Sequence, residues 1–154
     1  MGSRRSHLSN VPGRVAAGTF ILNSGMGKLR ADKDTAERVH QMAVGAYPML
    51  DGIEARKFVK LLGVAEVALG GALLLPVVGD GVAGAALTAF AGGLLGLYAK
   101  TPILRIEGSI RPSQQGTAIA KDVWLLGIGC SLMVDGLQGA LGRRAQARAA
   151  RQGG

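Results

Sequence analysis

Leu61–Val78 reads LLGVAEVALGGALLLPVV, and Gly81–Ala99 reads GVAGAALTAFAGGLLGLYA. The first run holds a single charged residue, Glu66, and the second holds none. Eighteen or nineteen helical residues, rising about 1.5 Å each, cover most of the ~30 Å hydrocarbon core of a bilayer. Gly79 and Asp80 separate the runs, so the stretch from Asp51 to Lys100 is expected to form a transmembrane helical hairpin. Glu66 is its most informative residue, because a carboxylate at that depth must be neutral, paired or in a polar cavity.

Working outward, the composition alone does not distinguish a membrane bundle from a soluble helical domain: 48% of the 154 residues are hydrophobic and 25 are glycine. The distribution of charge decides. Charged residues gather at 1–14, 28–60, 100–122 and 143–151, and the segments between them are nearly bare. Abundant glycine fits the same reading, since small residues let membrane helices approach closely. Gly92 with Gly96, and Gly136 with Ala140, have the spacing of such contacts. The expected fold is therefore all-α: an integral membrane four-helix bundle with an amphipathic helix in the loop between spans one and two.

Residues 1–12 read as a flexible basic tail. Span one is expected at about 13–29, interrupted by Asn23, and lacks the small-residue cleavage site of a signal peptide before Lys28. In the following loop Asp34 and Glu37 resemble a capping box. Ala36, Val39, Met42, Ala43, Ala46 and Tyr47 then recur at helical spacing until Pro48, which predicts a helix over 35–47. That helix either lies on the membrane or folds back over the bundle. Asp51 and Glu54 repeat the capping signature ahead of span two, expected at 55–78. Span three is expected at 81–99, and Tyr98 and Lys100 mark its interface; span four is expected at 120–141, opening on Trp124. Residues 142–154 read as a basic tail suited to anionic lipids. The 13–141 segment forms the membrane domain. The unopposed basic tails favour cytoplasmic termini.

Counting helical rise, Asn23, Thr88 and Cys130 or Ser131 fall at about the depth of Glu66, which makes Glu66, Asn23, Thr88 and Ser131 a candidate polar layer for a proton or a quinone headgroup. Its structural alternative is a protonated Glu66 hydrogen-bonded to Asn23. Asp135 and Lys28 are secondary candidates, with Lys28 and Asp122 placed to form a rim ion pair. The single cysteine and the two histidines, His7 and His40, supply no thiol pair and no bundle-embedded haem ligands. No metal site is expected, and no P-loop or GxGxxG loop occurs. The net charge of +8 flanks spans as topology requires, which argues for a membrane surface and against nucleic acid.

The segments RVAAGTFILNSGMGKL (Arg14–Leu29), LLGVAEVALGGALLLP (Leu61–Pro76), LYAKTP and KDVWLLG resemble the DoxX-like family of small four-span bacterial membrane proteins. The resemblance implies a multi-pass protein of the bacterial plasma (inner) membrane, associated with quinone-linked redox systems. It carries over to Glu66 and to the Asn23–Lys28 region. The function it implies is an accessory subunit of a membrane redox or respiratory complex, not an enzyme on its own, with other membrane proteins as partners. No cofactor is evident; quinone is the small molecule the resemblance suggests. A structural assembly subunit and a small proton-coupled transporter using Glu66 are the alternatives.

Overall fold

A computed structural model describes residues 2–152, with side chains from Ser9 onward. Among the described residues the chain is helical, without a strand; a lone bridge joins Arg105 to Pro112 in the long connector. Helix α1 is Gly2–Leu29, α2 Lys33–Ala46, α3 Ala55–Leu74, α4 Asp80–Lys100, α5 Thr117–Ala120 and α6 Val123–Gln152.

Several boundaries differ from those expected, each for a local reason. The segment read as an N-terminal tail is the start of α1. Pro12 lies inside that helix without ending it, since proline removes its own N–H bond, and side chains on either side of it, Asn10 and Arg14, are both tied to Asp80. The segment read as a C-terminal tail continues α6 to Gln152; its Arg, Ala and Gln residues are strong helix formers. Helix α3 stops at Leu74, short of the expected 78, because Leu75 precedes Pro76 and takes the extended conformation that a pre-proline residue favours.

Helix α2 is capped two residues earlier than expected. Asp32, not Asp34, accepts the Thr35 N–H at 2.7 Å. These hydrogen bonds hold the Asp32 carboxyl below its ordinary value. Glu37 makes an exposed pair with Lys33 instead. Glu54 flanks α3 without capping it through its side chain. Of the two placements open to α2, the structure has the fold-back: Ala36, Ala43 and Ala46 are buried, and the helix packs on α3 and α4. At its end the Tyr47 hydroxyl donates to Gly93 O at 2.9 Å, and Lys100 sits over the Tyr47 ring.

The four long helices pack as two tight pairs, α1 with α3 and α4 with α6. Helices α3 and α4, the expected hairpin, touch each other only sparsely. Glycine placement explains this. A methyl group on Gly70 of α3 would stand 2.8 Å from Gly18 O of α1, and one on Gly25 would stand 2.8 Å from Gly63 O. In the second pair, a methyl on Gly84 would lie 2.7 Å from Gly129 O, and Gly81 faces Gly136. Backbones in van der Waals contact leave no room for a side chain, so these positions dictate the partners. The expected Gly92/Gly96 contact is absent: Gly92 has open space around it and Gly96 lies under Tyr47.

Between the pairs, Ala17, Ile21, Leu69, Leu73, Leu87, Ala91, Leu125 and Leu132 form one buried core. The outer surface carries Phe20, Leu61, Val64, Val82, Trp124, Val134 and Leu137 exposed. Two helical stretches, Asp80–Lys100 and Thr117–Gln152, are long and apolar enough to cross a membrane.

Candidate functional site

Glu66 sits in the middle of α3, with its side chain 3% exposed. A helix turns about 100° per residue, so α1 residues four apart share a face; Ser24 and Lys28 present such a face to Glu66. The Lys28 Nζ donates to Glu66 Oε2 at 2.9 Å and to Ser24 Oγ at 2.8 Å. An ammonium has three N–H groups, and these two bonds engage two of them. The Lys28 side chain remains 23% exposed, so its third N–H has an outlet. Asp122, the residue before α6, is buried. The expected Lys28–Asp122 rim pair is not formed; Lys28 bonds Glu66 instead.

The expected polar layer does not assemble. Asn23 is exposed on the outer side of α1, and Cys130 and Ser131 are exposed on α6. Thr88 lies at the α4/α6 contact beside Gly129, with its Oγ1 buried and without a hydrogen-bond partner. Asp135 is half-buried on α6 and joins neither charged cluster. Helical rise gives the depth of a residue but not its azimuth. Asn23 stands one position, and so about 100°, away from Ser24, the residue that reaches Lys28.

A second buried cluster lies at the opposite end of α1. Arg14 Nε donates to Leu73 O at 2.8 Å, Nη2 to Ala72 O at 2.9 Å and Leu75 O at 3.0 Å, and Nη1 to Val78 O at 3.0 Å. The remaining Nη1 bond is an ion pair with Asp80, whose other oxygen accepts from Asn10 Nδ2 at 3.1 Å. Arg14 thereby satisfies the carbonyls left open where α3 ends and joins α1 to the α3–α4 turn. A cation there also suits the negative end of the helix dipole. The sequence alone groups Arg14 with the N-terminal charges at 1–14 and leaves Asp80 in an interhelical break. The available signal was one cation and one anion at neighbouring ends of otherwise apolar runs.

Among the described residues no group of His, Cys, Asp and Glu could hold a metal ion. For an uncharged acceptor such as a quinone carbonyl, Lys28 Nζ and Ser24 Oγ are the donors at hand. Comparison of the chain with protein-family models, curated proteins and solved structures gives no match.

Proposed function

We propose that this chain is a four-span protein of the bacterial inner membrane, acting as an accessory subunit of a quinone-linked redox complex. In this reading α1, α3, α4 and α6 are the spans, and the Lys28–Glu66 pair is the headgroup and proton site. The two apolar helical stretches and the apolar outer surface support the membrane placement. Polar residues on α1 and α3 lower their hydropathy, and the buried ones are paired within the bundle. The DoxX-like resemblance supports the choice of partner.

One observation carries the functional part: Lys28 is buried enough to bond Glu66 but keeps a donor unused. A carbonyl oxygen arriving at that donor gains a charge-assisted hydrogen bond in a low-dielectric setting. Glu66 on the other side of the ammonium can accept a proton from a quinol, leaving Lys28 to stabilise the oxygen anion. The chain itself contributes binding and proton transfer; electrons pass to or from a partner subunit.

A structural assembly role is the second reading, favoured by the same pair's position joining α1 to α3. The test is purification of the intact assembly in native nanodiscs, followed by mass spectrometry of its proteins and extracted quinones. A stoichiometric redox partner with quinone that is lost in Glu66→Gln supports the proposal. Partner retention by Glu66→Gln with unchanged quinone content favours the assembly role. A protein that emerges alone and without quinone overturns both.

A further inference from the structure

Helix α6 is 30 residues long and its partner α4 is 21. Past Gly136, which faces Gly81 near the start of α4, α6 runs beyond the end of its partner, and every residue from Leu141 to Gln152 is exposed. Val123–Leu141 is nineteen residues, about 28 Å of rise, close to the thickness of a hydrocarbon core. Leu141 therefore marks the edge of the apolar part. The segment beyond it carries Arg143, Arg144, Arg148 and Arg151 with no acidic residue.

Three of these four arginines continue a row that begins inside the span. Val134, Leu137, Leu141, Arg144, Arg148 and Arg151 follow one another at alternating steps of three and four residues, which keeps them along one side of the helix. All six are exposed, and the row is turned away from the buried side formed by Leu125, Gly129 and Leu132. Arg143 stands about 100° from Arg144, toward that buried side. Among the described residues the three arginines of the row make no ion pair. The side of α6 that meets acyl chains within a bilayer thus emerges from it as a row of cations.

We infer that Arg144, Arg148 and Arg151 form a docking row for the headgroups of anionic phospholipids in the leaflet where α6 leaves the membrane. The inference rests on the membrane placement proposed above and is independent of the quinone. Helical rise puts the three Cα atoms about 4.5, 10 and 15 Å beyond Leu141, against a headgroup layer roughly 5–7 Å thick. Side chains on a helix lean toward its N-terminus, and on α6 that direction leads back to the bilayer. The Arg144 guanidinium therefore lies among the headgroups, that of Arg148 reaches back into them, and that of Arg151 stops at their outer margin. Each offers a planar fork that matches a phosphate. Apolar residues followed by cations on one side match the order of a phospholipid, acyl chain first and phosphate second. A second copy does not fit the row, because parallel packing sets arginine against arginine.

The experiment is electron spin resonance of trace spin-labelled phosphatidylglycerol and phosphatidylcholine in phosphatidylcholine bilayers containing the full chain, read as the ratio of their association constants. Wild type is expected to prefer phosphatidylglycerol. One cation at the surface is worth about a fivefold change in affinity. Arg144→Gln should lower the ratio by up to that much, Arg151→Gln by less, and the combined Arg144→Gln, Arg148→Gln and Arg151→Gln variant by most. Arg148→Ala together with Ala147→Arg keeps the net charge and turns the cation about 100° toward the buried side; it should lower the ratio as Arg148→Ala alone does. Equal ratios in wild type and the triple variant overturn the inference, and so does a ratio that the charge-preserving pair leaves unchanged. A soluble polyglutamate helix that binds wild type and not the triple variant, without any lipid preference, assigns the row to an acidic protein and overturns it too. A chain that stays out of the bilayers defeats the membrane placement itself, whereas one that enters them without lipid preference defeats this inference alone.

Discussion

The two ends of α1 each bury a cation against a carboxylate, but they do so to different degrees of completion. Arg14 has five N–H groups, and the structure pairs each one with Asp80 or with a carbonyl around the end of α3. Lys28 keeps a donor unused. A fully satisfied buried network rigidifies a fold and offers nothing to a ligand. A network with spare donor capacity can accept a hydrogen-bond partner. The contrast teaches that buried charge alone does not mark a functional site; unfilled valence does.

The sharpest way to break this comparison is at the saturated end. Arg14→Gln removes the partner of a buried pair and most of the carbonyl caps, and should lower unfolding stability by about 3–5 kcal/mol. Denaturant titration of the detergent-solubilised protein measures it. Arg14→Lys should recover only part, because three donors on a flexible stem cannot reproduce a planar five-donor fork. Full recovery by lysine would show that charge, not saturation, matters there.

Next in size are the glycine contacts that hold both clusters in place. Gly70→Val forces α1 and α3 apart and should cost about 1–3 kcal/mol. It should also weaken Lys28–Glu66, visible as lost quinone. Gly92→Ala, in open space, should leave stability and quinone content at wild-type values. Equal effects at the two positions would defeat the assignment of helix pairs.

Glu66→Gln at the unsaturated end keeps an acceptor for Lys28, so its stability cost should be smaller, about 1–2 kcal/mol from the lost charge assistance. Its effect should fall on proton and quinone binding. A cost matching that of Arg14→Gln would make the Lys28–Glu66 end structural like the other.

The smallest effect belongs to Asp32, outside both clusters. Its folded-state pKa is depressed below the ordinary 3.8 by the Thr35 hydrogen bonds. Its contribution to α2 is therefore present above that ordinary value and fades as pH falls through the depressed one. Asp32→Ala should fray the first turn of α2, detectable as faster amide exchange at Thr35, with both clusters intact.

Much of the helical layout was legible beforehand. Apolar periodicity located α2, and the runs around Leu61–Val78 and Gly81–Ala99 located α3 and α4. Glu66 stood out as the one carboxylate inside the first run. Lys28, a secondary candidate, is the residue that bonds it. The misplacements share a cause: Asn23 and Ser131 were matched to Glu66 by depth, and depth says nothing about which way a side chain points. Asp122 was expected at a rim and is buried. The Arg14–Asp80 pair is invisible in the sequence because the two residues stand 66 positions apart.

Local chemistry, then, was decided by the sequence itself: where α2, α3 and α4 form and where Pro76 and Pro48 end the helices before them. These depend on backbone hydrogen bonding and side-chain transfer energies that act within a few residues. Tertiary structure alone decided which helices pair and which charges meet. Both outcomes depend on the rotation of each helix about its axis, set by backbone contact of Gly18 with Gly70 and of Gly84 with Gly129. A helix turns about 100° at each residue, so a rotation of that size exchanges an inward side chain for an outward one.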